Sequence, residues 1–211
     1  MWGTVLKRDL LGETREEDKF YTKEKLREYL KSEIEKQGEN VSIRNLDVSL
    51  IEDMSWLFHD ITNGVRTLDL SGWDTSNVRN MSHLFSFCDR LESLDLSGWD
   101  TSNVEDMTTM FFSCTNIESL DLSSWDVSKV KDMNYMFYDC KNLKSLDLSG
   151  WNVSNVKDMG WMFYNCYELK SLDLSGWDTS NVKDTSWMFF CCRAPYKDVN
   201  NKIVKLCGEQ Y

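Results

Sequence analysis

The chain has 211 residues and a net charge of −11, with 9 Trp, 10 Phe, 8 Tyr and 10 Met but a single Pro. That apolar volume supports a sizeable core, and one Pro with 10 Gly leaves no room for a low-complexity linker. The acidity repels phosphate backbones and anionic lipids, so it argues against nucleic acid and membrane surfaces as partners and suits a basic protein.

Residues 1–21 are polar with scattered apolar side chains and are expected to form a short strand or turn over the first repeat. Met1 to Leu10 place Lys7, Arg8 and Asp9 where a secretory signal needs an apolar core. The expectation is a cytoplasmic chain as written, or a cell-surface one if a leader is removed. The longest apolar run, Trp187 to Cys192, is far too short to span a bilayer, so no membrane insertion is expected. A helix is predicted over 22–37. Thr22 is a suitable N-cap, Leu26, Tyr29, Leu30 and Ile34 share one face, and Gly38 is a natural stop. An amphipathic helix before a repeat array reads as its cap, because the open end of a stacked core must be covered.

Repeats then dominate. Leu-Asp-Leu-Ser begins at Leu68, Leu94, Leu120, Leu146 and Leu172, always 26 residues apart. A fixed period of this length signals a stacked repeat architecture. An earlier degenerate copy starts at Val41-Ser42-Ile43 and runs one residue longer, with the insertion expected near the turn dipeptide Asn63-Gly64. Within each copy, Leu-x-x-Leu-x-Leu predicts one parallel strand per repeat, Ser-Gly a turn, and Trp73, Trp99, Trp125, Trp151 and Trp177 a buried corner. The spacing of Val104, Met107, Met110, Phe111 and Cys114 predicts a short helix. Ser102 would cap that helix, with Glu105 completing a capping box, and Asp106, Asp132, Asp158 and Asp184 would lie in the first helical turn. Cys88, Cys114, Cys140, Cys166 and Cys192 keep the same register and read as a ladder of buried, reduced thiols.

The longer string Leu-Asp-Leu-Ser-Gly-Trp-Asp-Thr-Ser-Asn-Val-x-x-Met-x-x-Met-Phe-x-x-Cys resembles the bacterial surface protein 26-residue repeat of the BspA-like leucine-rich-repeat family. The resemblance implies a non-enzymatic solenoid used for protein contact, often as a surface adhesin. The expected fold class is therefore α/β: a leucine-rich-repeat solenoid of about six units, one parallel strand and one short helix each. An N-terminal cap would occupy residues 1–40, the repeats 41–197 and a C-terminal cap 198–211, with Ile203, Val204 and Leu206 as a last strand.

Two features are candidates for binding. Asp69, Asp95, Asp121, Asp147 and Asp173 lie between inward leucines and form an outward strip at rung spacing of about 4.8 Å. This strip is either solvated by neighbouring Ser and Thr or a docking line for Lys and Arg of a partner. The second is an aromatic stripe: His83, Thr109, Tyr135, Trp161 and Trp187 at one repeat position, and Ser86, Phe112, Tyr138, Tyr164 and Phe190 three residues on. Its aromatic members Tyr135, Tyr138, Trp161, Tyr164, Trp187 and Phe190 form either packing between adjacent helices or a contact patch, since Trp and Tyr dominate interface hot spots. The two histidines, His59 and His83, pair with no nucleophile motif, and no phosphate loop, Cys-x-x-Cys or zinc spacing occurs. No enzyme, cofactor or metal is expected. The function expected is a protein-binding module of surface adhesin or recognition type. The alternative is a cytoplasmic acidic inhibitor or immunity-type protein that binds a basic protein.

Overall fold

The computed structural model describes residues 20, 22–174 and 176–193. The expected strand or turn before residue 20 and the expected last strand at Ile203, Val204 and Leu206 lie outside the described residues.

Helix α1 spans Lys23–Gln37. The Thr22 hydroxyl accepts the Lys25 N–H at 3.3 Å, and Gly38, at a φ of 75°, donates its N–H to the Ile34 carbonyl. Left-handed backbone is cheap only for Gly, so the helix stops there. Leu26, Leu30 and Ile34 are buried one turn apart and cover the first rung.

Strands β1 (Asn40–Ser42), β2 (Thr67–Asp69) and β3 (Ser93–Asp95) pair in parallel, as do β4 (Ser145–Asp147) and β5 (Ser171–Asp173). Val41 pairs in register with Leu68. A single bridge from Ser119 to Ser145 ties the fourth rung to β4. The sheet therefore divides between β3 and Ser119. The division coincides with a change at the corners: Gly72 and Gly98 have positive φ, whereas Ser124 and Gly150 do not. The result is a parallel α/β repeat fold with one helix among the described residues, and strands of only 3 residues.

A second parallel ladder compensates. Asp53, Asn80, Asp106, Asp132, Asp158 and Asp184 are bridged in unbroken succession. The following segment is where the sequence expectation fails. No helix forms in any described repeat. Instead Leu84, Ser86 and Cys88 donate their N–H groups three residues back, to Met81, His83 and Phe85. The alternate residues Met81, His83, Phe85 and Phe87 donate to Asp106, Thr108, Met110 and Phe112 on the next rung. An N–H committed to a neighbouring rung is lost to an α-helix, and left-handed residues at His83 and Phe87 (φ 56° and 63°) end any helical run. The three-residue spacing that reads as helical is thus the period of successive turns. Ser102 and Glu105 form no capping box: the Ser102 N–H is taken by Asp100, and Glu105 pairs with Lys131 and Arg79. Asp106, Asp132, Asp158 and Asp184 sit on the second ladder, where each carboxylate accepts the N–H two residues on.

The extra residue of the first repeat falls between Asp60 and Val65, beside the turn dipeptide Asn63-Gly64. Asp60 (φ 62°) matches Phe87, and the Thr62 and Cys88 carbonyls accept equivalent N–H groups from Val65 and Leu91. The additional residue is one of Ile61 and Thr62, since the Ile61 N–H bond to Phe58 also matches the Cys88 N–H bond to Phe85.

The core consists of columns. Phe58, Phe85, Phe111, Phe137, Phe163 and Phe189 stack with centroids 5.0–5.6 Å apart. Truncating one such ring to Ala costs about 3–5 kcal/mol. The Trp73, Trp99, Trp151 and Trp177 indoles donate to carbonyls of earlier rungs at 2.6–3.1 Å, so the buried N–H groups are satisfied. The five in-register cysteines are buried, and Cys114, Cys140 and Cys166 donate to Phe85, Phe111 and Phe137 carbonyls at 3.1–3.2 Å.

Among the described residues no rung precedes the first to fill the carbonyls of Leu57 and His59. Arg27 of α1 supplies that function. Its guanidinium donates to the Trp56 and Leu57 carbonyls at 2.8 and 2.6 Å and to the His59 carbonyl. Lys23 adds contacts to Asp53 and Ser55 at 2.7 and 3.1 Å. Helix α1 thus meets the first rung through specific hydrogen bonds as well as apolar contacts.

Candidate functional site

The aspartate strip is first a structural device. Asp69, Asp95, Asp121 and Asp147 each accept the N–H of the Ser two residues on, at 2.9–3.2 Å. Such Asx turns form because a short carboxylate reaches the backbone two residues ahead. The Ser123 and Ser149 hydroxyls add a second donor at 2.7 Å. These hydroxyl and N–H bonds hold the Asp121 and Asp147 carboxyls below the usual range. Asp69 is also lowered: burial opposes ionisation, but the Ser71 bonds, Arg44 at 3.4 Å and Ser42 outweigh it. Asp173 continues the register of the strip at β5. Asp95, Asp121 and Asp147 are exposed and form no salt bridge among the described residues. Each corner of the repeat uses the same turn, as Asp100 with Ser102 and Asp132 with Asn134 show.

The aromatic candidates do come together. Tyr138 lies between Phe112 and Tyr164, with centroids 4.7 and 4.8 Å away and planes within 3°. Tyr164 continues onto Phe190 at 5.1 Å. In the neighbouring column Tyr135 stacks on Trp161 at 5.8 Å, and Trp161 stacks on Trp187. The columns touch sideways through Tyr135–Tyr138, Trp161–Tyr164 and Trp187–Phe190 at 5.0–5.7 Å. No inter-helix packing is involved, since these residues lie on stacked turns. Tyr135, Trp161 and Trp187 all have φ near 60°. Left-handed backbone is unusual for a bulky residue, and at Tyr135 and Trp161 the N–H is held by the next rung, at Gly160 and Ser186.

Inner rings of both columns have their faces covered by rings above and below. The surface presented outward is therefore ring edges and tyrosine hydroxyls. Tyr138 has its phenol pushed up, by burial first and then by Tyr164 and Asp139. Trp187, at the end of its column, is 50% exposed.

Sequence reasoning missed part of this face. Trp56 stacks on His83 at 3.8 Å, His83 Nδ1 lies 2.6 Å from the Thr109 hydroxyl, and Phe87 bridges His59 to Phe112. Trp56 holds the repeat position of His83, a signal masked by the 27-residue length of the first copy. Phe87 gave no periodic signal, because its position is otherwise Asp60, Ser113, Asp139, Asn165 and Cys191. Charge is also unevenly spread. Residues 41–128 hold 15 acidic and 4 basic side chains, whereas residues 129–193 hold 8 of each. The fully described aromatic columns thus sit mainly in a neutral half. No group of three or more His, Cys, Asp or Glu among the described residues is arranged to hold a metal, and no described helix is long and apolar enough to cross a membrane.

Comparison with known proteins adds the following. No curated protein matches the chain. Among solved structures, a TLR13–ssRNA13 complex shares 17% identity over 72% of this chain and 24% of that chain, with a TM-score of 0.38. An internalin (inlF) from Listeria monocytogenes str. 4b F2365 shares 16% over 91% of this chain and 52% of that one, with a TM-score of 0.34. The chain thus spans about a quarter and about half of these two, and likeness at that level transfers no function. A family model matches residues 26–119 and again 107–205, across both halves of the repeat array, and on that match the chain belongs to the family described as Mycoplasma protein of unknown function, DUF285.

Proposed function

We propose that this chain is a non-enzymatic recognition module, a leucine-rich-repeat solenoid that binds a protein partner through its aromatic face. The observation that carries the reading is the pair of stacked columns Tyr135–Trp161–Trp187 and Tyr138–Tyr164–Phe190. Burying such rings against a partner recovers apolar area at little entropic cost, because the stack has already ordered them. Resemblance to the bacterial surface protein repeat supports use as an adhesin. The test is capture of a partner from cells, with the partner identified by mass spectrometry. A Trp161→Ala, Trp187→Ala variant should lose capture and an Asp95→Asn, Asp121→Asn, Asp147→Asn variant should keep it. The reverse result would move the site to the aspartate strip, and capture unaffected in both removes both faces.

A second reading, an acidic inhibitor or immunity-type protein neutralising a basic protein, is favoured by the 15-to-4 acidic excess of residues 41–128. On this reading the aspartate strip, not the aromatic face, dominates, and capture falls steeply with added salt.

A further inference from the structure

The chain contains one Asn-Gly pair, Asn63-Gly64. It forms the centre of a turn in which the Thr62 carbonyl accepts the Val65 N–H at 3.0 Å. Gly64 has a φ of 95°, the left-handed value that the third residue of a type II turn requires. Later repeats close the same turn, as Leu91 to Cys88 and Leu143 to Cys140, without a positive φ at Arg90 or Asn142. Both Asn63 and Gly64 are exposed. The Gly64 N–H has no acceptor among the described residues, and nothing lies within 4 Å of the point that a Cβ on Gly64 would occupy. The Asn63 amide is held by one bond, from Nδ2 to the Asp60 carbonyl at 3.3 Å. Every other Asn among the described residues is followed by Val, Leu, Ile, Met, Tyr or Cys, whose side chain shields the main-chain nitrogen. That nitrogen is commonly committed as well: Val104 and Ile117 donate to Thr101 and Cys114, and Met81 to Asp106.

We infer that Asn63 is a site of spontaneous modification, deamidating through a cyclic imide. The Gly64 nitrogen attacks Asn63 Cγ. The new N–C bond forms, the Cγ–Nδ2 bond breaks, and ammonia leaves with the proton that Gly64 carried. Water then opens the imide. Opening at Cγ gives aspartate at position 63, and opening at the main-chain carbonyl gives isoaspartate, whose main chain runs through the former side chain. Water is the only co-reactant. Either product adds a negative charge to a hollow that Asn63 lines together with Glu39, Arg66, Arg90 and Glu92. Arg66 is committed to Glu92 at 2.7 Å, whereas Arg90 forms no salt bridge among the described residues and is the cation available to the new carboxylate. Isoaspartate also lengthens the main chain in the link that leads into β2. Left-handed backbone and an open flank at Gly64 are thus what distinguish this turn from its copies in the later repeats.

The test ages the full folded chain in mildly alkaline buffer, which favours the deprotonated Gly64 nitrogen, and in mildly acidic buffer. Peptide mass spectrometry follows each Asn, and methylation by an isoaspartyl methyltransferase reads isoaspartate. The peptide holding Asn63 should acquire the acid mass as both aspartate and isoaspartate, faster in the alkaline buffer, while the other described Asn residues stay intact. Asn63→Gln should abolish the change, and Gly64→Ala should slow it several-fold. Gly64→Ala puts a side chain on left-handed backbone, so Asn63→Gln, which leaves Gly64 in place, keeps the test decisive if the alanine variant fails to fold. An Asn63 peptide that stays intact in the aged folded chain overturns the inference, and conversion only after unfolding in guanidinium would assign that protection to the fold. Aspartate without isoaspartate overturns the imide route, and earlier conversion at any other described Asn overturns the selection of this turn.

Discussion

Trp187 lies on Trp161 with ring centroids 5.5 Å apart and planes 24° apart, and half of its surface is open to solvent. The two tryptophans share a column but not a burden. Trp161 has rings on both faces, whereas Trp187 ends the described column. Trp187→Ala should therefore cost less than about 1 kcal/mol of stability, and Trp161→Ala about 1–3 kcal/mol. Urea unfolding of the two variants measures the difference, and equal losses would mean that the columns carry no stacking energy along the axis.

Arg27 makes a different kind of contact, standing in for a missing rung. Arg27→Ala strips donors from the Leu57 and His59 carbonyls and should destabilise the chain by about 1–3 kcal/mol. Hydrogen exchange should rise most in the first rung, since each rung is stabilised chiefly by its neighbours. A uniform rise across all rungs would contradict the edge-capping role.

Asp132 and Asp121 should respond to acid in opposite senses. Burial first, then Asp158 and Asp106, raise the Asp132 carboxyl. A raised folded pKa favours the native state below the unfolded value of about 3.9 and loses that benefit as pH rises through the folded value. Asp132→Asn should accordingly raise the melting temperature at pH 7, with the gain shrinking toward pH 3. Asn80 already occupies the same ladder position and accepts the Ser82 N–H at 2.9 Å, so the turn survives the change.

For Asp121 the Ser123 hydroxyl and N–H lower the folded pKa. Its stabilisation is present above the unfolded value of about 3.9 and is lost as pH falls through the folded value. Ser123→Ala removes the hydroxyl bond and should reduce the loss of stability on acidification below about pH 4. Thermal melts between pH 2 and 7 test both residues, and parallel shifts of Asp132→Asn and Ser123→Ala with pH would refute the assignment.

The thiol column should be inert. Burial pushes the Cys88 thiol up to about 12 and raises Cys114, Cys140 and Cys166 as well. Thiolate is the reactive species, so iodoacetamide should spare these four in the native chain and modify them in guanidinium. Half-buried Cys191 should react first among the described cysteines. Peptide mass spectrometry separates the sites, and early labelling of Cys114 would show that the rungs open locally.

Much of the architecture was legible because every rung meets its neighbour through the same positions. Leu68, Trp73, Met81, Phe85 and Cys88 recur in register, so their burial follows from repetition. The N-cap at Thr22 and the stop at Gly38 were readable because each acts over a few residues. The turn stack was misread. Spacings of three and four residues arise equally from a helix and from successive turns, and only the destination of the N–H groups distinguishes them. His83 bonds Thr108 on another rung, a contact that local sequence does not encode.

For the candidate site the division is similar. The sequence by itself determined which positions vary from rung to rung and that aromatic residues accumulate at two of them. It could not determine that these rings stack face to face or that Asp121 spends one oxygen on Ser123. Each of those depends on the distance and orientation of groups 26 residues apart, or on which bond a carboxylate chooses. Stacking fixes them only when one rung lies on the next, because a repeat alone has no neighbour to receive its hydrogen bonds or cover its rings.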